Sequence, residues 1–552
     1  MKKIFFVSCA MLAVLTLQAA PLADRFVWVF GWDLDKDKSI SEISQLLETA
    51  SQHGINGAVF SGFDALEKDS PEKLQRLEQL RDVCEKKHLE FIPSVFSVGY
   101  GGGFLAVNRN LAEGVPVNGA KFVVENGNAR MVPDSVAKIA NGDFENFKGN
   151  KLSGFDFHDQ PGEISFIDTK VRHGGNASLR FEHFTANQYG HGRIMQKVKV
   201  IPHRSYRLTL WVKTEQIQPG GCFQVLILAD GREIAPRKFD VPSTTDWKKI
   251  TMLFNSLDLE NVMVYAGVWG AKDGKFWLDD WSLEEVGPVN VLRRPGTPFR
   301  VQSNDETTLF TEGSDYVLKM DPINPWRDDG EFARIQIPEK SRIHNGDLLK
   351  VSWFHSMVIY DSQVTVCMGE PEVDLIIDRE AKILAERFHP KRVLLSMDEV
   401  RMGGTCDACR GRNMAEIIGQ CVSKQAERIR HYSPGTQVYV WSDMFDPKHN
   451  AKPDYYLVKG DFTGSWNYLP KDIIIAVWGG EPRVENMRFF SEHGFETLAA
   501  CYYDADDLKD VKAWLDLVRK TPKARGLMYT PWERKYSLLP AFGDLLQDKQ
   551  GQ

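Results

Sequence analysis

The chain has 552 residues and a formal net charge of −7, with 43% hydrophobic and 11% aromatic residues. This composition excludes a disordered chain, and the length exceeds what a single ordinary core needs, so several domains are expected. The negative charge disfavours nucleic acid and anionic lipid as partners.

The amino terminus has the pattern of a secretory signal. Two lysines precede an apolar run over residues 4–17, and Ala19 and Ala20 supply the small residues of a cleavage site. That run is shorter than the roughly 20 residues that a membrane-spanning helix needs. We therefore expect residues 1–20 to be removed from an exported protein, periplasmic or extracellular, with no membrane span.

The segment that follows alternates between strands and helices. Apolar runs predict strands at "DRFVWVFGW", "INGAVFSGF" and "LEFIPSVFSVGYGGG". A helical apolar period predicts helices between them, at "SISEISQLLETASQHG" and "SPEKLQRLEQLRDVCEKKH". This order opens a parallel α/β fold.

A β-rich insertion interrupts this pattern over residues 139–288. Short strands without a helical period, separated by turn residues, predict a β-sandwich. The motifs "NGDFE", "GGNASLRF", "YRLTLWVKT" and "FWLDDWSLEEV" resemble the jelly-roll carbohydrate-binding modules of the family 4/9 type. The resemblance implies an all-β jelly roll that binds glycan.

Strands and helices alternate again after a β-rich connection over 289–364. Five further strands are predicted at "KRVLLSMDE", "TQVYVWSDMF", "DIIIAVWGG", "FETLAACYYD" and "ARGLMYTPW". Three strands before the insertion and five after it make the eight of a (β/α)8 TIM barrel, assembled from residues 25–120 and 365–545. The count assigns "DLLKVSWFHS" to the insertion, which leaves the barrel between its third and fourth strands.

Two adjacent acids, Asp398 and Glu399, end the fourth strand. Barrel enzymes carry their catalytic groups at the carboxyl ends of the strands. Neighbouring side chains within a strand face opposite ways, but at its last residues Asp398 can point up from the barrel interior while Glu399 swings over the rim. The alternative is structural: the pair caps the next helix or binds an arginine such as Arg401.

The other strand ends combine aromatic residues with carboxylates. Indole faces stack on the C–H groups of a sugar, and carboxylates accept hydrogen bonds from its hydroxyl groups. The combination therefore predicts a glycan pocket at the barrel mouth. The residues concerned are Trp32, Asp33, Asp64, Tyr100, Trp441, Asp443, Trp478, Tyr502, Tyr503, Asp504, Trp532 and Glu533.

Together these strand ends resemble the family 20 β-N-acetylhexosaminidases. The shared motifs are Asp-Glu-Val after the fourth strand, Trp-x-Asp on the fifth, "VWGG" on the sixth, a tyrosine on the seventh and Trp-Glu after the eighth. The resemblance implies a retaining glycoside hydrolase in which the acetamide of the substrate attacks the anomeric carbon. The family's His-x-Gly-Gly before the acids is "LLSM" here.

The resemblance also implies a role for each matching residue. Glu399 would be the general acid/base, Asp398 would orient the acetamide nitrogen, and Tyr503 would hydrogen-bond the acetamide oxygen. The implied pocket walls and hydroxyl ligands are Trp441, Trp478, Trp532, Asp443 and Glu533.

Two alternatives remain open at this point. One is a retaining glycosidase with an enzymatic nucleophile, Asp504 or Glu533, which needs its two carboxyl groups about 5–5.5 Å apart. The other is a glycan-binding protein without catalytic activity, which the altered "LLSM" favours.

No cofactor and no metal are expected. Cys406 and Cys409 form a Cys-x-x-Cys pair, but a zinc site would need two more ligands, and neither His431 nor Cys421 lies at a suitable spacing. A local disulfide or a pair of thiols that stiffens the loop is therefore favoured over zinc. Glycan is the expected partner, and the sequence leaves the oligomeric state open.

Overall fold

The computed structural model describes residues 22–320, 326–330, 332–360, 363–453, 455–479 and 482–547. The predicted signal segment, residues 1–20, lies outside this range. Within the part of the chain that is described, no helix is long and apolar enough to cross a membrane.

Eight parallel strands form a closed barrel, and the last strand pairs with the first. The prediction of eight strands, three before the insertion and five after it, is confirmed. The strands are β1 (Asp24–Val29), β2 (Gly57–Phe60), β3 (Glu90–Val95), β4 (Arg392–Leu395), β5 (Gln437–Trp441), β6 (Ile474–Val477), β7 (Glu496–Ala500) and β8 (Ala524–Tyr529).

Helices connect most of these strands. Ser70 caps the second helix, because its side chain accepts a hydrogen bond from the backbone N–H of Lys73, and Pro71 occupies the first helical position. The helices of the described residues are α1 (Asp37–Gln52), α2 (Pro71–Lys86), α3 (Gly102–Val107), α4 (Pro371–Phe388), α5 (Met414–Tyr432), α6 (Arg483–Glu492), α7 (Lys509–Lys520) and α8 (Leu539–Gln547).

Alternation along each barrel strand separates two apolar cores. In β1, Phe26 and Trp28 belong to the cluster inside the barrel, whereas Val27 and Val29 belong to the layer between the strands and the helices. Bulky side chains fill the interior, so the barrel has a packed core and its free space lies at the ends.

The segment between β3 and β4 contains two five-stranded antiparallel sheets that share one hydrophobic core. In spatial order the first sheet is Thr245–Asn255, Ser205–Gln218, Asp273–Glu285, Ser178–Phe181 and Ser165–Asp168. The second is Arg232–Lys238, Phe223–Ala229, Asn261–Val268, Gly192–Lys199 and Phe157–His158. Two short strands, Phe147–Lys148 and Lys151–Leu152, pair separately.

A seven-stranded sheet adjoins them. It contains Leu348–His355, as the strand count predicts, paired with Val115–Glu125. The first half of that partner strand falls within 25–120, the range assigned to the barrel, so the barrel piece ends before Val115. In spatial order the sheet is Leu309–Phe310, Arg300–Ser303, Leu348–His355, Val115–Glu125, Asn128–Met131, Arg334–Gln336 and Val317–Lys319. A small parallel pair, Met402–Gly403 with Leu457–Val458, lies beyond β4 and β5.

Candidate functional site

Acidic side chains converge beyond the carboxyl ends of β2, β4 and β5. Asp398 interacts electrostatically with Asp443, Glu399 and Asp64. Burial, followed by the charge of Asp443, raises the pKa of Asp398 well above its usual range. Burial also raises the pKa of Asp64 to about 6. Apart from its own backbone, no hydrogen-bond donor among the described residues contacts the Asp398 carboxyl, so this group is available to a ligand.

Glu399 turns away from the strand direction. Its backbone lies in the left-handed region, with φ of 49°, which breaks the alternation that would otherwise place it opposite Asp398. Its carboxylate pairs with Arg401 at 2.7 Å and accepts a hydrogen bond from the Tyr100 hydroxyl. The side chain remains 21% exposed. Glu399 therefore binds Arg401, as the structural alternative predicts, while Asp398 does not.

Arg401 is held between two tyrosines. Its guanidinium lies 4.5 Å from the ring centroid of Tyr360 and 4.4 Å from that of Tyr456, and the two tyrosine hydroxyls are 2.7 Å apart. Its Nε donates to the side-chain oxygen of Gln363 at 2.8 Å, and the Gln363 amide donates to the Glu399 carbonyl at the same distance. These contacts fix a positive charge beside the Glu399 carboxylate.

Asp443 connects the acids to the tryptophans. One carboxylate oxygen accepts hydrogen bonds from the Glu399 backbone N–H and the Asn450 amide, both at 2.8 Å. The other accepts from Trp478 Nε1 at 3.1 Å. The side chain is fully buried, and burial raises its pKa. Asp443 therefore orients neighbouring groups, and both of its oxygens are already occupied.

Four tryptophans from different strands pack together at this end of the barrel. Trp441 lies 5.6 Å from Trp28, 6.0 Å from Trp532 and 6.4 Å from Trp478, centroid to centroid. Trp28 and Trp441 are buried, whereas Trp478 and Trp532 are partly exposed. Trp441, expected as a pocket wall, is therefore part of the barrel core, and of the four only Trp478 and Trp532 have exposed ring surface.

Tyr503 and Asp504, which follow β7, form hydrogen bonds with the loops after β6 and β8 and with β7 itself. The Tyr503 hydroxyl accepts from the Gly479 N–H at 2.7 Å and donates to the Ala500 carbonyl at 3.0 Å, so its hydrogen is already used. Asp504 accepts from the backbone N–H groups of Trp532 and Glu533 at 2.6 and 3.1 Å. Asp504 therefore shapes the loop that carries Trp532, and the Glu533 side chain is exposed.

Three predicted pocket residues make contacts elsewhere. Tyr502 is 1% exposed and stacks on Tyr529 at 4.0 Å, so it belongs to the core around the barrel and cannot line a pocket. Trp32 donates to Glu42 of α1 at 3.1 Å. Asp33 is exposed and pairs with Lys36 at 3.0 Å. Among the described residues, none of these contacts involves the acid group at β4, which corrects their assignment to one pocket.

A cavity of about 470 Å³ opens beside Glu399. Residues from the loops after β4 and β5 line it together with two from the strand Arg232–Lys238 of the insertion. The lining residues are Arg232, Glu233, Glu399, Arg401, His449, Asn450, Lys452, Tyr455 and Tyr456. The contribution of the insertion cannot be predicted from the sequence, because no local pattern shows which strand of a sandwich faces a distant barrel.

A second cluster lies behind the loop that carries the acids. Glu113, Cys367, Cys406 and Cys409 are all buried, and their ligand-type atoms lie within 4.8 Å of one another. The cysteines are free, so of the two expected forms, a local disulfide or a pair of thiols, the structure has thiols. Glu113 and Cys367 went unrecognised because they lie 293 and 39 residues from Cys406, and no sequence spacing links them.

An aromatic row crosses the outer side of the second five-stranded sheet. Tyr189, which is 64% exposed, stacks with His191 at 5.5 Å, and His191 lies 6.4 Å from Trp269. The Arg193 guanidinium lies 5.8 Å from Trp269 and 5.6 Å from Phe157. Tyr189 is exposed, and His191 and Trp269 are half-buried, so their aromatic surface is a candidate binding surface.

Comparison with known proteins finds no matching family model and no matching curated protein. Solved structures with local likeness include TmCBM61 bound to β-1,4-galactotriose, at 17% identity, covering 28% of this chain and all of that one, with a TM-score of 0.22. A CBM4 structure matches at 17% identity, covering 27% and 99%, with a TM-score of 0.20. A cyclase from Fischerella sp. TAU matches at 14% identity, covering 28% and 97%, with a TM-score of 0.23. Likenesses at these TM-scores carry no functional argument.

Proposed function

We propose that this chain is a glycoside hydrolase whose active site lies at the carboxyl ends of the barrel strands. One observation carries the proposal: the Asp398 carboxyl, whose pKa is raised by burial, is adjacent to Glu399, which pairs with Arg401. Glycosidases need two carboxyl groups in different surroundings, because one protonates the leaving oxygen while the other stabilises or attacks the developing oxocarbenium ion.

The roles follow from the surroundings of each acid. Burial beside Asp443 favours the protonated form of Asp398, which makes it the proton donor. Glu399 contacts Arg401 and Tyr100, and we assign it the second role, to stabilise or attack the oxocarbenium ion. This exchanges the two roles that the hexosaminidase resemblance implies. Partly exposed Trp478 and Trp532 provide faces on which a sugar can stack.

The substrate class we propose is a β-linked N-acetylhexosaminide, with Glu399 facing the acetamide. The resemblance of the strand ends to the family 20 enzymes supports this choice. Tyr503 does not, because its hydroxyl hydrogen is engaged by the Ala500 carbonyl. The enzymatic-nucleophile alternative is weakened for Asp504, because its carboxylate accepts hydrogen bonds from the backbone of Trp532 and Glu533 in the loop after β8.

The test is product release by the mature chain from aryl glycosides with and without a 2-acetamido group. We expect Asp398→Asn to lower turnover of the acetamido substrate by about 10² to 10⁴-fold, the usual contribution of a positioned acid. Glu399→Gln should cause a comparable loss. Asp516→Asn, an exposed acid on α7, is the matched control and should leave turnover unchanged.

A pH profile tests the assignment of Asp398 as the proton donor, and an inhibitor tests the participation of the acetamide. Turnover should fall as pH rises through the raised pKa of Asp398, because the donor then loses its proton. A thiazoline that mimics the cyclised acetamide should inhibit. Equal turnover of 2-hydroxyl substrates without thiazoline inhibition would contradict participation of the acetamide, and unchanged turnover in Asp398→Asn would contradict the acid assignment.

A second candidate is a glycan-binding protein without catalysis. The aromatic row of Tyr189, His191 and Trp269 favours it, and so does the occupation of Glu399 by Arg401. We propose that the two five-stranded sheets form a jelly-roll carbohydrate-binding module, in line with the motifs noted above. Binding of glycan by the mature chain without product release across a broad panel would support this candidate and contradict the hydrolase.

We further propose that the protein is exported. The support is the lysine-led apolar segment at the amino terminus, which fits a polymer substrate outside the cytoplasm. Amino-terminal sequencing of protein secreted from its host should begin shortly after Ala20. An intact amino terminus on cytoplasmic protein would contradict this.

A further inference from the structure

The buried cluster of three cysteines and one glutamate has the composition of a metal site. Three thiolates and a carboxylate supply four ligands, the number that structural zinc takes, and soft sulfur ligands favour zinc over magnesium or calcium. Glu113, Cys367, Cys406 and Cys409 are each at most 1% exposed. A fully enclosed four-ligand set is typical of a structural site, because catalytic zinc keeps one position open.

The distances fit a tetrahedron. Zn–S bonds of about 2.3 Å place ligand sulfurs about 3.8 Å apart, and a Zn–O bond of about 2.0 Å places oxygen and sulfur about 3.5 Å apart. The Sγ atom of Cys406 lies 3.4 Å from those of Cys367 and Cys409, which are 3.8 Å from each other. Glu113 Oε2 lies 3.7 Å from Cys406 Sγ and 3.3 Å from Cys409 Sγ.

Neighbouring groups hold the ligands in place. Glu113 Oε1 accepts hydrogen bonds from the backbone N–H and hydroxyl of Thr405 and from the N–H of Cys406, at 2.8 to 3.0 Å, which leaves Oε2 for a ligand bond. Arg294 Nη2 lies 3.5 Å from Cys406 Sγ and also donates to the Ala112 carbonyl at 3.0 Å. Such outer contacts orient metal ligands and balance their negative charge.

We propose that Glu113, Cys367, Cys406 and Cys409 bind one structural Zn²⁺ ion, releasing their protons on binding. The ion would join three separate segments: the chain leaving the barrel at Glu113, the chain returning at Cys367, and the loop between β4 and α5. That loop also carries Asp398 and Glu399. The ion therefore fastens the insertion to the loop that carries the acid pair, and the inference holds whether or not the protein is a hydrolase.

Metal analysis of the mature chain tests the proposal. Protein produced with zinc in the medium should contain about one zinc per chain by elemental mass spectrometry. Cobalt substituted for zinc should give the intense visible absorption and sulfur-to-metal charge transfer of a tetrahedral thiolate site. Absence of both signals, or a disulfide joining any two of these three cysteines in the unreduced protein, would overturn the proposal.

Variants assign the ligands. Glu113→Gln should bind zinc at least about tenfold more weakly in competition with a chelator, since it loses the anionic oxygen but retains a side-chain acceptor. Cys501→Ser is the control, because this buried thiol donates to the Met528 carbonyl and a serine hydroxyl can do the same. Wild-type zinc affinity in Glu113→Gln would overturn the four-ligand assignment. If that variant fails to fold, the cobalt spectrum of the wild-type chain decides.

Discussion

Two aspartates of the site differ in their hydrogen-bond partners. The pKa of the Asp398 carboxyl is raised, and no donor from another described residue contacts it, so folding at neutral pH requires this group to take up a proton, which costs free energy. Asp443 accepts hydrogen bonds from the Glu399 N–H, the Asn450 amide and the Trp478 indole. The Asp398 carboxyl therefore has no structural donor from another described residue, whereas Asp443 stabilises the groups around it.

We therefore expect opposite effects from the same chemical change. Asp398→Asn should raise the free energy of unfolding at pH 7, because the amide is neutral without taking up a proton. Asp443→Asn should lower it by about 1–3 kcal/mol, because an amide group would face hydrogen-bond donors. Urea denaturation of both variants measures this, and a loss of stability in Asp398→Asn would contradict the assigned environment.

Asp64 gives a prediction about pH. Burial raises its pKa from 3.8 to about 6, so the folded chain keeps this proton over a range where the unfolded chain has lost it. Its contribution to stability is therefore present below about pH 4 and is lost as pH rises to about 6. Relative to wild type, Asp64→Asn should gain about 1–3 kcal/mol over that range. Chemical denaturation at several pH values measures the difference, and parallel profiles for the two proteins would contradict it.

At the scale of elements, the loop after β3 supports the acid pair. Gly99 lies so close to the loop after β4 that an added Cβ would sit 2.1 Å from the Asp398 carbonyl oxygen and 2.9 Å from that of Glu399. The Gln363 amide and the Thr365 hydroxyl also donate to the Gly99 carbonyl, both at 3.2 Å. The positions of the acids therefore depend on a glycine on another strand's loop.

Gly99→Ala should displace the acid loop. Backbone atoms would have to move, so we expect a loss of about 1–3 kcal/mol in stability together with reduced turnover. Gly102→Ala is the matched control, because its nearest neighbour would be the Asp64 Cβ at 3.8 Å. Thermal unfolding and the aryl-glycoside assay compare the two, and equal behaviour would contradict the close packing.

The barrel could be predicted from the sequence to a greater extent than its mouth. Apolar runs such as Arg392–Leu395 and Ile474–Val477 are strongly patterned, and a count of eight then sets the topology. Loop conformations depend on tertiary contacts, so neither the left-handed turn at Glu399 nor the stacking of Arg401 between Tyr360 and Tyr456 follows from local sequence. The same limit explains why Tyr502 was assigned to the pocket.

At the scale of the whole molecule, the aromatic row and the acid group lie on different parts of the chain. Trp269 and Tyr189 belong to the inserted sheets, while Asp398 belongs to the barrel. Binding of a polymer and turnover of a small substrate should therefore be separable.

Tyr189→Ala and Trp269→Ala should each weaken binding to a polymeric glycan by about tenfold, because each removes a stacking surface. Turnover of a small aryl glycoside should not change. Tyr468→Ala, an exposed tyrosine on the barrel side, is the control. Affinity electrophoresis measures how far a soluble polysaccharide retards the protein. If every polysaccharide that retards the wild type retards these variants equally, the row is not the binding surface.

The strand Arg232–Lys238 has a consequence for the evolution of this protein. Because Arg232 and Glu233 form part of the cavity wall beside Glu399, the inserted sheets contribute to the shape of that cavity. Excising them would open one flank of the cavity, and exchanging them for a relative's would alter which molecules fit there. Ligand selectivity should therefore depend on both the barrel and the inserted sheets. A barrel without these sheets should bind a different set of molecules.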